Sequence, residues 1–119
     1  MAKCDEGYIC QVCGEEVKGI QQSDLYLRFV IGMVDPETLH LQPERHLKCN
    51  PSLAQFIDDP DYANLDVEAG FRKDDLDDVY VAEQSELINR GFERLKEVTK
   101  LDIPIQEYPL EEFRQKFAR

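Results

Sequence analysis

The sequence predicts an α+β protein in which a β-hairpin and a short helix are followed by a long amphipathic helix and a C-terminal helix. Three features of the 119-residue chain support this prediction. Two short Cys and His pairs frame the first half, an alternating apolar pattern lies between them, and apolar residues with helical spacing occupy the second half. Length and a 42% hydrophobic content fit one ordinary domain, or a small module with a helical extension.

The first half of the chain contains the predicted hairpin. Residues 1–8 are charged and are expected to form a flexible tail. The segment Leu25–Ile31 alternates in the way expected of a half-buried strand and is followed by the turn signal Asp35-Pro36. Thr38–Gln42 resumes the alternation. We therefore expect a β-hairpin with strands near Leu25–Ile31 and Thr38–Gln42.

The apolar spacing changes after the hairpin. Asn50 suits a helix cap and Pro51 the first position of a new helix. We therefore expect a helical turn through His46 and a short helix from Pro51 to Ile57. Because residue 50 precedes a proline, we expect the chain to break or bend near Cys49.

The second half is predicted to be mainly helical. Residues 58–74 form an acidic connector, for which a calcium loop is an alternative, although the glycine and the closing glutamate of an EF-hand are missing. A long amphipathic helix is expected from Asp75 to Lys100, with acids at its start and bases at its end. A last helix should begin at Pro109 and dock on the long helix. Its apolar face consists of Leu110, Phe113 and Phe117.

Two matched residue pairs predict a metal site. Cys10 and Cys13 are two residues apart, and the following Gly14 permits a tight turn that directs backbone amides towards the thiolates. His46 and Cys49 have the same separation, and positions three apart on a helical turn share a face. Zinc binds about four thiolate or imidazole donors in a tetrahedron. We therefore predict one Zn²⁺ ion bound by Cys10, Cys13, His46 and Cys49.

The pattern Cys10-x2-Cys13-x32-His46-x2-Cys49, with a hairpin between the pairs, resembles a treble-clef zinc finger over residues 10–57. In that family a knuckle supplies two ligands, a hairpin follows, and the start of a helix supplies the other two. The ligand order and spacing are most similar to the finger of poly(ADP-ribose) polymerases, and slightly similar to half of a LIM domain. The present chain differs from the polymerase finger in its acidity and in lacking that finger's basic face.

The chain is accordingly divided into four parts. Residues 1–8 form the tail, 9–57 the treble-clef-like zinc-finger module, 58–74 the acidic connector, and 75–119 a helical segment that packs on the finger.

Alternatives remain for the site. Cys4, in the tail, and His40, on the hairpin face opposite Leu39 and Leu41, are each able to replace a named ligand. A filled four-ligand shell favours structural over catalytic zinc, since catalytic zinc keeps an open position. A thiol redox role for the first cysteine pair requires a thioredoxin-like βαβ setting, which the sequence lacks. Nucleophile and phosphate-binding motifs are also missing, so we expect no enzyme.

Charge favours a protein partner over a nucleic acid. The chain has 25 acidic and 14 basic residues and a formal net charge of −11, which repels phosphate backbones on average. No segment has the roughly 18 apolar residues of a membrane span, and residues 1–10 contain no apolar run of the length expected for a signal peptide. We therefore predict a cytoplasmic protein, in which reducing conditions favour metal sites over disulfides.

The predicted function is a protein-interaction or scaffolding module with a structural zinc site. The alternative is a regulatory zinc finger that binds nucleic acid through a local basic patch. Its basic residues are Lys18, Arg28, Arg45 and Lys48. An enzyme with an open metal site is a third possibility, for which no residue can be nominated. Because the first half has a small predicted core, loss of the zinc is expected to unfold that half.

Overall fold

Helices are the main secondary structure of this protein, whose computed structural model describes residues 8–62 and 65–117. The predicted tail, with Cys4, lies outside the described residues apart from its last residue, and so do the side chains of His40 and Phe117. Two strands and four α-helices are described, with six short 3₁₀ turns among them. They are β1 (Tyr8–Ile9), β2 (Glu16–Val17), α1 (Asp24–Val30), α2 (Pro51–Ala54), α3 (Asp78–Val98) and α4 (Glu111–Phe117).

Strands β1 and β2 form a small antiparallel hairpin at the start of the described chain. Tyr8 pairs with Val17 and Ile9 pairs with Glu16. Two residues per strand are too few for an independently stable hairpin, so this element depends on other contacts. The connecting turn carries the first cysteine pair.

The β-hairpin predicted for Leu25–Ile31 and Thr38–Gln42 is wrong. Asp24–Val30 forms α1, and the second predicted strand contains a 3₁₀ turn at Leu39–Leu41. Ser23 caps α1, because its Oγ accepts a hydrogen bond of 3.0 Å from the backbone N–H of Tyr26. Every residue of α1 except Arg28 is buried, so apolar side chains occur on all sides of the helix. Alternation alone cannot distinguish such a helix from a strand.

The core lies between α1 and α3. Its most deeply buried apolar side chains include Leu27, Phe29, Leu47, Ile88 and Leu95. The predicted long helix is confirmed, although it begins at Asp78, where the side chain of Asp77 accepts hydrogen bonds from the first turn. Since α1 belongs to the predicted finger module and α3 to the predicted helical segment, one core joins both halves of the chain.

The last helix, α4, and the residue before it contact α3 and the chain at the end of α1. The backbone N–H of Leu110 donates to the carbonyl of Val30 at 3.0 Å, and Glu112 forms an ion pair with Arg90 of α3. The ring of Phe113 lies directly against Gly32.

The segment between Gln42 and Ile57 differs in detail from the predicted one. His46 is extended (φ −68°, ψ 147°), so the helical turn predicted through it begins one residue later, as a 3₁₀ turn at Leu47–Cys49. The expected break occurs at Asn50 (φ −126°, ψ 70°). Helix α2 begins at Pro51 as predicted but ends at Ala54.

Residues 58–74 contain 3₁₀ turns at Pro60–Tyr62 and, in part, at Lys73–Asp75, and the four-part division of the chain stays a prediction. In the described part of the chain, no helix combines the length and apolar character needed to cross a membrane.

The observed fold is a mixed, mainly helical one with a single two-stranded sheet among the described residues. The α+β class therefore has weak support. The treble-clef arrangement is not confirmed, because α1 lies where that finger requires its hairpin.

Candidate metal centre

The turn between β1 and β2 positions Cys10 and Cys13. The backbone N–H of Gly14 donates to the carbonyl of Cys10 at 2.9 Å, which closes the turn around the two thiols. Gly14 has φ +78°, a left-handed conformation that favours glycine. Cys10 is buried, with 1% of its surface exposed, whereas Cys13 is exposed.

The segment before α2 positions His46 and Cys49. His46 pairs with Ser23 through an isolated antiparallel bridge, which fixes the extended backbone at this point. The N–H of Cys49 donates to the carbonyl of His46 at 3.0 Å. This tight turn brings the two side chains close enough for the Sγ of Cys49 to lie 3.9 Å from the Nδ1 of His46.

All four predicted ligands come together in space. The sulfur atoms of Cys10, Cys13 and Cys49 and a ring nitrogen of His46 lie within 4.8 Å of one another. The Sγ of Cys13 is 3.3 Å from the Nδ1 of His46. A tetrahedron with Zn–S bonds of about 2.3 Å has edges of about 3.8 Å. The distances between the donor atoms would therefore have to shorten by about 1 Å or less to complete the site. The cluster is therefore able to hold a metal ion.

The ring of His46 is oriented by the β1–β2 hairpin. Its Nε2 lies 2.9 Å from the backbone carbonyl oxygen of Glu16 in β2. A carbonyl oxygen only accepts hydrogen bonds, so Nε2 carries a proton. In the neutral form of the ring, Nδ1 is then the unprotonated nitrogen, and it is the one that faces the sulfur atoms of Cys13 and Cys49. Such a backbone partner is typical of histidines that bind metals.

The ionisation properties of Cys10 and Cys49 favour the binding of a cation between them. Burial opposes ionisation of Cys10, but backbone N–H groups, including those of Val12 and His46 at 3.4 Å, lower its pKa to about 6. Burial and the neighbouring sulfur atoms of Cys10 and Cys13 raise the pKa of Cys49 to about 12. Ionisation of Cys10 thus disfavours ionisation of Cys49 beside it, and a divalent cation bound between the sulfur atoms would offset this repulsion.

Two of the four basic residues considered for nucleic-acid binding are engaged elsewhere. Arg28 and Arg45 both form ion pairs with Asp24, at 2.9 and 2.8 Å. The Nζ of Lys48 lies over the ring of Tyr62, 5.9 Å from its centroid. Lys18 and Lys48 line a cleft of about 850 Å³ beside the cluster, together with acidic residues.

Sequence reasoning missed two buried acids near the cluster, Asp24 and Glu44. An acid beside a helix cap is usually exposed and interacts with the helix dipole, so Asp24 gave no sign of burial. Ser23 was the one signal in the sequence, since Ser followed by Asp marks the start of a helix. It indicated helix α1 but not the burial of Asp24.

Comparison with known proteins gives no relative: no family model, no curated protein and no solved structure matches this chain. Fold and site together define a mainly helical protein with a candidate Cys₃His metal centre. Its function is therefore inferred from the chemistry of that centre.

Proposed function

We propose that this protein binds one structural Zn²⁺ ion through Cys10, Cys13, His46 and Cys49, and that it is a non-enzymatic interaction or scaffolding module. The observation that carries the proposal is the convergence of four donor atoms within 4.8 Å from two distant segments of the chain. The hydrogen bond from His46 to the Glu16 carbonyl adds support, because it leaves the correct ring nitrogen available.

The donor set favours zinc among biological cations. Thiolate and imidazole are ligands of zinc in structural sites, whereas magnesium and calcium prefer carboxylate, carbonyl and water oxygen atoms. Three sulfur donors and one nitrogen donor match the Cys₃His class of structural zinc sites.

A structural role follows from the number of protein ligands. Catalytic zinc has three protein ligands and a position for water or substrate, while four protein ligands fill the tetrahedron. The ion would join the β1–β2 hairpin, whose strands have two residues each, to the segment that precedes α2. Such a link supplies the stability that a short hairpin lacks.

The interaction role is supported by the surface beside the cluster. Ile9 and Val12, in and next to the cysteine turn, have 58% and 57% of their surfaces exposed. A protein partner is favoured over a nucleic acid by the net charge of −11 and by the pairing of Arg28 and Arg45 with Asp24. We place the protein in the cytoplasm, where thiol ligands stay reduced.

Metal analysis of purified variants tests the zinc site. Wild-type protein and Cys4→Ser are expected to retain one equivalent of zinc, while Cys10→Ser and Cys49→Ser lose it or bind it weakly. Cys4→Ser is the matched control, since it removes a thiol that belongs to neither pair. Absence of zinc from the wild type, or equal zinc in all four proteins, would contradict the proposal.

A further inference from the structure

A group of buried polar residues lies beside the candidate metal centre. Ser23 and Asp24, at the start of α1, have no exposed surface, and Glu44 is 7% exposed. Buried polar groups carry a desolvation cost and are retained where their hydrogen bonds compensate for it. Those bonds converge on the chain segment that carries His46 and Cys49.

Asp24 binds both ends of that ligand-bearing segment. Its Oδ2 accepts hydrogen bonds from the Nε and Nη2 atoms of Arg45 at 3.1 and 2.8 Å. Its Oδ1 accepts one from the Nδ2 of Asn50 at 2.8 Å, and its backbone N–H donates to the Arg45 carbonyl at 2.9 Å. Arg45 directly precedes His46, and Asn50 directly follows Cys49. The two candidate ligands therefore lie between two anchoring points on one side chain.

Glu44 extends this network to the cysteine turn. Its Oε1 accepts hydrogen bonds from the hydroxyl of Ser23 at 2.6 Å and from the N–H of Arg45 at 2.9 Å. Its backbone carbonyl accepts a hydrogen bond of 3.0 Å from the N–H of Gln11, which follows Cys10. Both ligand pairs are thus connected to the start of α1.

We propose that Asp24 is a positioning residue of the metal centre, which holds residues 45–50 in the conformation that presents His46 and Cys49 to the ion. This inference rests on the proposed function. A segment that is fixed before the ion binds loses less conformational entropy on binding, so the metal centre has a higher affinity for the ion. Charged hydrogen bonds to a fully buried carboxylate are strong enough to provide such an anchor.

The two arginines on Asp24 form a matched pair for testing this role. Arg45 and Arg28 approach the same Oδ2 at 2.8 and 2.9 Å, and their side chains are 27% and 22% exposed. Arg45 connects α1 to the ligand segment, whereas Arg28 lies four residues from Asp24 on the same helix. Arg45→Met and Arg28→Met each keep an apolar stem and remove one ion pair, but only the first change removes a link to the ligand segment.

Zinc affinity is the readout that separates positioning from general stability. Each metal-free variant is titrated with Co²⁺, monitored by the visible absorption of tetrahedral Co²⁺, and Zn²⁺ is then added in competition with a chelator. We expect Arg45→Met to weaken zinc binding about tenfold, as is typical for residues that orient metal ligands. The zinc affinity of Arg28→Met is expected to stay within about twofold of the wild type, because Arg28 and its partner Asp24 both lie on α1.

The outcomes separate this inference from the proposed function. Equal losses of affinity in the two variants, or no loss in either, would overturn the positioning role while the zinc site stands. A wild-type protein that binds no zinc would overturn both. If Arg45→Met fails to fold, Asn50→Ala removes the other side-chain link to Asp24 and is compared with Arg28→Met in the same way.

Discussion

His46 directs its Nδ1 towards the three sulfur atoms because its other ring nitrogen is bound by the Glu16 carbonyl. Cys10 is similarly fixed by backbone N–H groups from Val12 and His46. Both contacts involve the backbone of the β1–β2 hairpin or its turn, so the shape of the cysteine turn affects whether the four donors meet. Gly14, with φ +78°, is the residue on which that turn depends most.

Substitution of Gly14 by alanine should weaken zinc binding. An L-residue in the left-handed region costs about 1–2 kcal/mol, although a Cβ at this position would meet no atom within 4 Å. The metal-free protein can relax this strain, whereas the zinc-bound protein must keep it. If the difference is about 1.4 kcal/mol, zinc affinity falls by about tenfold. Competition with a chelator measures this change.

Gly19→Ala provides the control for that experiment. Gly19 has φ −165°, which any residue adopts, and a Cβ there also meets open space. Its zinc affinity should equal that of the wild type. If Gly14→Ala also binds zinc normally, the left-handed turn does not shape the site.

At the level of elements, α1 and the residue that follows it pack closely against α3. Gly91 allows the two helices to approach closely, since a Cβ at this position would overlap the Cγ2 of Ile31 and lie 3.0 Å from a methyl group of Leu27. Ile31 is buried and its Cγ2 is attached directly to Cβ, so it cannot move away easily. The contact explains a glycine in the middle of a 21-residue helix.

Gly91→Ala should therefore lower the free energy of unfolding. Overpacking costs about 1–3 kcal/mol and the gain in helix propensity is about 1 kcal/mol, so we expect a net loss of up to about 2 kcal/mol. Chemical denaturation measures it, with Glu83→Ala on the exposed face of α3 expected to stay within about 0.5 kcal/mol. A more stable Gly91→Ala protein would show that the helices are not in close contact.

The elements differ in how well the sequence predicts them. Helix α3 has a strong signal, because its length, its apolar spacing and the cap at Asp77 all agree. Helix α1 is too short and too uniformly apolar for spacing to decide, and only the Ser23 cap pointed to a helix. The two-residue spacing predicts that the donors within each pair lie close together, whatever the intervening element, and the structure adds that the two pairs meet. The buried role of Asp24 could not be predicted, since it depends on contacts between distant segments.

On the scale of the whole molecule, one core joins both halves of the chain. Leu27 and Phe29 of α1 pack in the same buried cluster as Ile88 and Leu95 of α3. This arrangement differs from the small hairpin core expected from the sequence. Loss of the metal should therefore affect a smaller region than the first half of the protein.

Chelation of zinc is expected to loosen the site and leave the helical core intact. Amide hydrogen exchange should accelerate in residues 8–18 and 44–50, because these segments meet at the ion, and remain slow in the centres of α1 and α3. Zinc-loaded protein without chelator is the reference. Loss of protection throughout α1 would support the original expectation that the first half unfolds.

Net charge leads to a prediction about nucleic acids. With a charge of −11 and two arginines held by Asp24, the protein should not retard a DNA or RNA fragment in a gel, even at low salt. Retardation that weakens steeply as salt increases would instead support the nucleic-acid-binding alternative.

X-ray absorption spectroscopy of the zinc-loaded protein tests the central claim most directly. Since Cys10, Cys13, His46 and Cys49 are proposed to bind the ion together, the spectrum should fit three sulfur atoms at about 2.3 Å and one nitrogen at about 2.0 Å. A shell containing oxygen, or one with fewer than three sulfur atoms, would contradict a closed structural centre at these four residues.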